Sequence, residues 1–231
     1  MSILGSVGEL PARRSRMPAD DRHRQLLEVA IDVFSRNGFS GTKTKDIATA
    51  AGVSEAILFR HFATKEDLYH AILDMHADND VGRQNQQLQE LMDARDDLGV
   101  FRFMAAGVFK SFGAKPAFHR LMMYALLEGH LLANLFRERF VLPTSQLFSS
   151  YIAQRQKEGA FRPCDPIGAG MFAIGSMVHF AMTRHVFGLD RPPHGDEAML
   201  EELAGLILAA LSAPEVADPR SRSQKGTHAR S

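Results

Sequence analysis

The stretch TKTKDIATAAGVSEAILFRHF, residues 42–62, decides the fold of the chain around it. Its first part, through Ala51, predicts a short helix. Gly52 ends that helix, because glycine adopts positive φ at little cost. Ser54 begins a second helix, since its hydroxyl can accept a hydrogen bond from one of the first unpaired backbone amides. The stretch therefore predicts two short helices joined by a tight turn.

The apolar residues of these two helices can share one small core, and the remaining residues of the second helix then face outward. The predicted core comprises Ile47, Ala48, Ala51, Val53, Leu58 and Phe62. The predicted outward face comprises Ser54, Glu55, Ala56, Ile57, Phe59, Arg60 and His61. This arrangement is a helix-turn-helix, the unit that places its second helix in the DNA major groove. An ordinary pair of packed helices is the alternative interpretation.

Composition and charge describe an ordinary globular protein. The 231 residues allow one large domain or two, and 45% hydrophobic residues suffice for a sizeable core. The formal net charge is zero, so the overall charge does not itself indicate a nucleic-acid partner. The helix-turn-helix region is locally basic, with more basic than acidic residues between 42 and 65. The basic residues are Lys43, Lys45, Arg60, His61 and Lys65.

The sequence predicts a soluble cytoplasmic protein without a membrane segment. Cys164 is the single cysteine, so no disulfide can form within these residues and cysteine-based metal sites are excluded. Residues 1–16 lack the continuous apolar core of a signal peptide. The longest apolar run, Ile167–Met182, contains polar residues and is shorter than a membrane span of roughly 18–20 residues. It predicts a buried helix.

Two further helices flank the helix-turn-helix. The first begins near Asp20 and is amphipathic until Asn37-Gly38 ends it. The second begins at Thr64, which forms a carboxylate variant of the capping box with Asp67. Residues 1–18, with three arginines, predict a flexible basic arm, which either enters a minor groove or is a disordered tail.

Residues 26–73, LLEVAIDVFSRNGFSGTKTKDIATAAGVSEAILFRHFATKEDLYHAIL, resemble the DNA-binding region of the TetR family of bacterial transcriptional regulators. The shared features occur in the same order: AxxxF and NGF in the first helix, the DIA…AGVS core, the FRHF run and the KEDL that follows. The resemblance covers residues 21–76. It implies a homodimeric, ligand-responsive regulator, usually a repressor, that binds a palindromic operator.

The resemblance also implies which residues contact double-stranded DNA. Together with the basic face, it gives as DNA-binding residues Thr42, Lys43, Thr44, Ser54, Glu55, Ala56, Ile57, Phe59, Arg60, His61 and Lys65. Phe59 departs from a common tyrosine and loses a hydroxyl contact to phosphate, whereas Ile57 departs from a common threonine and offers apolar contact. Glu55 either accepts from a cytosine amino group or merely favours the helix N-terminus.

The rest of the chain predicts helices and no strands. We expect an all-α fold with a three-helix DNA-binding domain over residues 19–64. A larger helical effector-binding and dimerisation domain follows over 65–212, and a disordered tail over 213–231. The predicted helices of the larger domain cover about 98–112, 117–135 with a split at residues 128–130, 136–159, 166–187 and 197–212.

Methionine and phenylalanine are frequent in the predicted effector domain, which favours a pocket for a small apolar or aromatic effector. Candidate ligand-binding residues are Phe101, Met104, Phe109, Met122, Met123, Leu126, His130, Phe148, Tyr151, Met171, Phe172 and His179. The alternative is that the apolar members simply fill the core, and that the two histidines are hydrogen-bonded core or interface residues.

Small residues recur along the helix predicted over 166–187, and they permit a close approach of helices. They are Gly168, Gly170, Gly175, Ser176 and Ala181. With the last helix they predict an isologous four-helix interface between two copies of the chain, as the resemblance implies. Such a dimer would present two recognition helices about 34–36 Å apart.

Catalytic motifs are missing from the sequence. It contains no GxSxG, HExxH or Walker loop and no paired metal-ligand spacing. We therefore expect no enzymatic activity, no cofactor and no metal site. The alternative to a regulator is a helical dimerisation or adaptor protein that has the helix-turn-helix without affinity for DNA.

Overall fold

The computed structural model describes residues 19–77, 81–189 and 193–214, and within these ranges the predicted all-α fold is confirmed. The described backbone forms no strand; an isolated antiparallel bridge joins Phe161 to Ser212. The predicted arm, residues 1–18, lies outside the described residues, as does the predicted tail from residue 215 onward.

The described chain folds into eleven α-helices and one π-helical stretch, Arg137–Val141. The α-helices are α1 (Ala19–Gly41), α2 (Thr44–Ala50), α3 (Glu55–His61), α4 (Lys65–Ala77), α5 (Val81–Asp93), α6 (Asp97–Ala114), α7 (Pro116–Leu127), α8 (Leu131–Phe136), α9 (Leu142–Lys157), α10 (Pro166–His185) and α11 (Gly195–Leu211). The predicted split near residues 128–130 occurs between α7 and α8, at Gly129, where φ is +63°.

The chain divides into two compact units between Ile72 and Leu73. The sequence placed this boundary at residue 64, before α4. The first unit extends further because the first two turns of α4 belong to its core. Leu68, Tyr69 and Ile72 are buried, and the Tyr69 ring lies 4.8 Å from the Phe34 ring of α1.

Helix α1 ends close to where the sequence predicted. Gly38 takes a φ of +70°, and one further turn continues to Gly41 beyond this kink. The Thr42 hydroxyl donates to the Gly38 carbonyl at 2.8 Å and so closes the end of the helix. This kink brings Phe39 to within 5.9 Å of the Phe34 ring, inside the first unit.

The main apolar core of the second unit is built where α6 packs against α10 and α11 and where α9 packs against α10. Phe101 of α6 and Phe148 of α9 are fully buried in it, with ring centroids 6.2 Å apart. Helix α5 contributes buried Leu88 and Met92 to this core. Apolar side chains spaced four residues apart on one face of a helix are enough to attach it to a core.

Helix α10 corrects the expectation of a fully buried helix. By length and apolar composition it is the one described helix that could cross a membrane. It packs against α6 and α9 through small residues, including Ala169, Ala173 and Ala181. Its opposite face exposes Met171 and Phe172, with relative exposures of 68% and 54%. Both faces are apolar in sequence, so apolarity alone could not reveal which face packs inside the unit.

Candidate nucleic-acid interface

The helix-turn-helix forms as the sequence predicted. Helix α2 ends at a turn in which Gly52 has a φ of +65° and the Val53 amide donates to the Ala48 carbonyl at 3.0 Å. That hydrogen bond satisfies a carbonyl left open at the helix end. The predicted core is confirmed, with Val53 half-buried and the other members buried: Ile47, Ala48, Ala51, Leu58 and Phe62.

Helix α3 presents its N-terminal residues to solvent. Ser54, Glu55 and Ala56 are exposed, whereas Ile57 is half-buried. Ser54 occupies the predicted N-cap position, but in the described structure its side chain caps none of the α3 amides. Phe59 is 44% exposed.

A hydrogen bond joins α2 to the first turn of α3. The Thr44 hydroxyl donates to Glu55 Oε1 at 2.7 Å. The sequence predicted these two side chains as separate DNA contacts. No sequence pattern indicated that residues 11 positions apart would form a hydrogen bond with each other. The bond holds the Glu55 carboxylate toward α2, so it fixes the orientation of α3 relative to α2.

Thr42 differs from its predicted role. Its side chain is buried, and its hydroxyl is bonded to the Gly38 carbonyl, so the structure does not offer this hydroxyl to a phosphate. Lys43 is exposed and its backbone amide donates to the Asp46 carboxylate at 3.1 Å, which caps α2. The Lys43 side chain thus remains a predicted contact, whereas Thr42 ends α1.

Lys65 opens α4 beside the helix-turn-helix. Its ammonium lies 4.0 Å above the Phe39 ring, a cation–π contact that orients it. The predicted capping box precedes it, since the Thr64 amide donates to Asp67 Oδ2 at 3.1 Å and the Asp67 amide donates to Thr64 Oγ1 at 3.0 Å. An ammonium at a helix N-terminus is suited to holding a phosphate together with the first backbone amides.

The C-terminal end of α3 is basic and includes exposed Arg60 and half-buried His61. Burial lowers the pKa of His61, and the nearby His23, Arg60 and Arg22 lower it further. The exposed and half-buried residues from Lys43 to Lys65 therefore form one polar and basic surface of the first unit. Their contacts with DNA stay predictions.

The twelve predicted ligand-binding residues do not form one site. Phe101, Phe148 and Tyr151 belong to the main core, and the Tyr151 hydroxyl donates to Asp97 at 2.5 Å. Met122 is buried elsewhere, on α7. The half-buried apolar members are Met104, Phe109 and Met123. For the core members, the alternative that they fill the interior describes the structure better.

Five of the twelve lie at the surface or at a helix end. Leu126, Met171, Phe172 and His179 are exposed, and their contact with a ligand stays a prediction. His130 caps α8, because its Nδ1 accepts from the Leu132 amide at 3.2 Å. An open groove of about 340 Å³ beside the start of α10 includes Phe172 but none of the other eleven. It is lined by Arg162, Cys164, Asp165, Gly168, Ala169, Phe172, Ala210 and Leu211.

The second unit also contains histidines that sequence reasoning did not single out. The His119 ring stacks on Phe112 with centroids 3.7 Å apart, and its Nε2 lies 3.2 Å from Ser111 Oγ. The His76 ring stacks on Phe118, also at 3.7 Å. Burial lowers the pKa of His119 to about 4 and that of His76 to about 3. Both rings are therefore neutral at pH 7.

We expect the stability of the chain to fall between pH 6.5 and pH 5. The unfolded state binds protons at these histidines near pH 6.5, whereas folded His119 does so only near pH 4. The free energy of unfolding is thus unaffected above pH 6.5, and His119 alone lowers it by about 2 kcal/mol at pH 5. Urea unfolding at several pH values measures this dependence.

The variant His119→Phe keeps the stacking on Phe112 and removes one of the two titrating groups, so it should remove about half of the pH dependence and leave the part that His76 contributes. His194 is exposed, and His194→Gln is the matched control that should leave the dependence unchanged. An identical pH dependence of stability in wild type and His119→Phe would show that His119 does not contribute to it.

Comparison with known proteins identifies the relatives of this chain. The family model described as "Bacterial regulatory proteins, tetR family" matches residues 26–72. The HTH-type transcriptional activator FasR of Mycolicibacterium smegmatis is 41% identical over 86 residues, which are 37% of this chain and 39% of FasR. The HTH-type transcriptional repressor KstR2 of Rhodococcus jostii is 30% identical over 158 residues, which are 63% of this chain and 73% of KstR2.

Solved structures share the fold. A transcriptional regulator from Saccharomonospora viridis, solved in complex with choline, has a TM-score of 0.64 at 20% identity, covering 84% of this chain and 100% of its own. The ketosteroid transcriptional regulator KstR2 of Mycobacterium tuberculosis has a TM-score of 0.62 at 19% identity, covering 85% and 98%. The expectation of a non-enzymatic protein agrees with this family of regulators. The chain belongs to the TetR family of bacterial transcriptional regulators.

Proposed function

We propose that this protein is a cytoplasmic repressor that binds a palindromic operator as a homodimer and is released by a small apolar or aromatic effector. The observation that carries the proposal is the outward N-terminal face of α3, with basic side chains on either side of it. A helix placed in this way can enter a major groove while its flanks hold the phosphates.

The exposed face divides into base-reading and phosphate-holding residues. Ser54 offers a hydroxyl to a base edge, and Ala56 and Ile57 offer apolar contact to a thymine methyl. Lys43, Arg60, His61 and Lys65 hold backbone phosphates. Thr44 and Glu55 are bonded to each other at 2.7 Å, which supports a role for this pair in positioning α3 rather than in reading bases.

The dimer would form through the exposed apolar side of α10 and the adjoining α11. Met171 and Phe172 of α10 and Leu206 of α11 are all more than half exposed, and the two helices pack against each other. A contiguous apolar surface of this kind marks an interaction site. An isologous contact between two copies buries it and sets the distance between the two recognition helices.

The effector would bind in the second unit, where half-buried Met104, Phe109 and Met123 supply adaptable apolar surface. A solved protein of this fold holds choline, which supports a ligand-binding role for the architecture. Release of DNA requires that the effector bind more tightly to the dimer whose recognition helices are wrongly spaced for the operator. The chemical class of the effector is proposed from the residue types alone.

DNA binding is tested by fluorescence anisotropy with the DNA upstream of the protein's own gene. Binding should weaken steeply with salt, because phosphate contacts release counterions. The combined variant Lys65→Ala, His61→Ala removes two contacts per subunit and should weaken binding by roughly 100-fold. It should also make the binding constant less dependent on salt concentration, because each positive charge that is lost means about one counterion fewer released on binding.

Arg36→Ala is the matched control for that measurement. Arg36 is an exposed cation of the same unit, bonded to Asp32 on α1, and its removal should change affinity by less than threefold. Unchanged affinity in the combined variant would show that the phosphate assignment is wrong. An absence of salt-dependent binding by the wild type would instead favour the adaptor without DNA affinity.

A further inference from the structure

Helix α1 brings a second set of basic residues to the end of the recognition helix. The His23 ring of α1 lies 5.9 Å from the His61 ring of α3, measured between centroids. It also packs on Phe62 at 4.6 Å, which fixes its position. Both histidines are half-buried, so one side of each ring remains open to solvent. No sequence pattern indicated that His23 lies beside the predicted DNA-binding face.

The surroundings of this histidine pair are basic. Arg22 and His23 approach His61 from α1, and Arg60 precedes it on α3; each of them disfavours the protonated form of His61. Arg22 donates to the neutral amide of Gln25 at 2.6 Å, and so its charge is not neutralised by that bond. Asp21, the acid next in sequence, pairs with Arg24 instead, at 3.2 Å.

We propose that Arg22, His23, Arg60 and His61 form a composite site for one backbone phosphate of DNA, and that filling this site favours the protonated form of His61. The site rests on the proposed function, because it needs α3 to face DNA. A phosphodiester carries one negative charge and accepts several hydrogen bonds, so it offsets the repulsion that disfavours a protonated His61. Protonated His61 carries a positive charge and two N–H donors, whereas its neutral form carries no charge and one N–H donor.

The proposal fixes the direction of a pH effect. Free His61 resists protonation, and a bound phosphate favours it, so the complex holds more protons than the separate protein and DNA. The association constant therefore rises as pH falls from 8 to 6. This direction is opposite to the effect of acid on stability, which lowers the folded population, so the two effects cannot be confused.

The test measures anisotropy of the upstream DNA fragment at pH 6, 7 and 8 and constant ionic strength. Wild type should bind about tenfold more tightly at pH 6 than at pH 8, which corresponds to an average net uptake of about half a proton on binding. His23→Gln and His23→Phe should each reduce this gain to threefold or less. The phenylalanine variant keeps the packing on Phe62, and circular dichroism checks that both variants fold.

His70→Gln is the matched control, since His70 is an exposed histidine of the same unit on α4 and should leave the tenfold gain intact. Calorimetry in two buffers of different ionisation enthalpy provides a second readout, in which wild type takes up protons on binding and the His23 variants take up fewer. A pH gain in the His23 variants equal to that of wild type overturns the composite site alone. Failure of wild type to bind DNA at any pH overturns the proposed function, and the site with it.

Discussion

Replacing Asp97 with alanine is expected to lower the free energy of unfolding by about 3 kcal/mol. Asp97 begins α6, and its carboxylate accepts from Arg155 Nε at 2.8 Å and Nη2 at 2.7 Å. It also accepts from the Tyr151 hydroxyl, while Arg155 lies over the Phe161 ring at 5.8 Å. The side chains of Asp97 and Arg155 are only 15% and 12% exposed. The variant therefore leaves the Arg155 guanidinium largely buried without its main hydrogen-bond acceptor.

The ionisation of the network agrees with this expectation. The hydrogen bond to Asp97 raises the pKa of Arg155, and burial together with Asp97 raises that of Tyr151. Arg155 therefore stays charged and Tyr151 stays neutral at pH 7.5. Loss of Asp97 leaves the Arg155 charge, which cannot be removed by deprotonation, with the more exposed Glu158 as its remaining carboxylate partner.

Arg102→Ala is the matched control for Asp97→Ala. Arg102 pairs with Glu201 across α6 and α11, but both side chains are about half exposed to solvent, so its loss should destabilise the protein much less than the loss of Asp97. Urea unfolding of both variants at pH 7.5 measures the difference. If both variants lowered the free energy of unfolding equally, the burial of the Asp97–Arg155 pair would not explain its contribution to stability. The apolar exchange Asp97→Leu with Arg155→Met should recover most of the loss, because it removes both charges together.

The sequence predicted the first unit well because its signals are local. Gly52 and the Thr64–Asp67 capping box each determine backbone geometry within a few residues, and both occur as expected. Contacts between residues distant in sequence were missed. The Asp97–Arg155 pair spans 58 residues and the Thr44–Glu55 bond spans 11, and no periodicity of either segment indicates its partner.

The burial of the candidate ligand-binding residues could not be predicted from the sequence, for a related reason. A helix that is apolar on every side does not reveal which side packs inside its own chain. In α10, alanines allow α6 and α9 to approach closely, and an added Cβ at Gly170 would lie 3.3 Å from Ser149 Oγ. Gly170 and Ala181 are buried within the chain, where they contribute to the packing of α10. The larger Met171 and Phe172 remain outside.

We expect the combined variant Met171→Glu, Phe172→Glu to be monomeric and to lose operator affinity by roughly 100- to 10,000-fold. Both side chains lie on the exposed face of α10, where a carboxylate is well solvated in the single chain and buried without a partner in the proposed dimer. A monomer also loses the effective concentration that a second recognition helix provides, which is worth this range of affinity.

Sedimentation velocity and anisotropy on the upstream DNA measure the two effects together. Leu127→Glu is the matched control, since Leu127 is 85% exposed at the end of α7 and should tolerate the charge with no change in mass or affinity. A variant of α10 that stays dimeric would show that the dimer uses another surface. A monomeric variant with full affinity would show that one recognition helix suffices for DNA binding. The spacing between two recognition helices would then contribute nothing to affinity, and an effector could not act by changing that spacing.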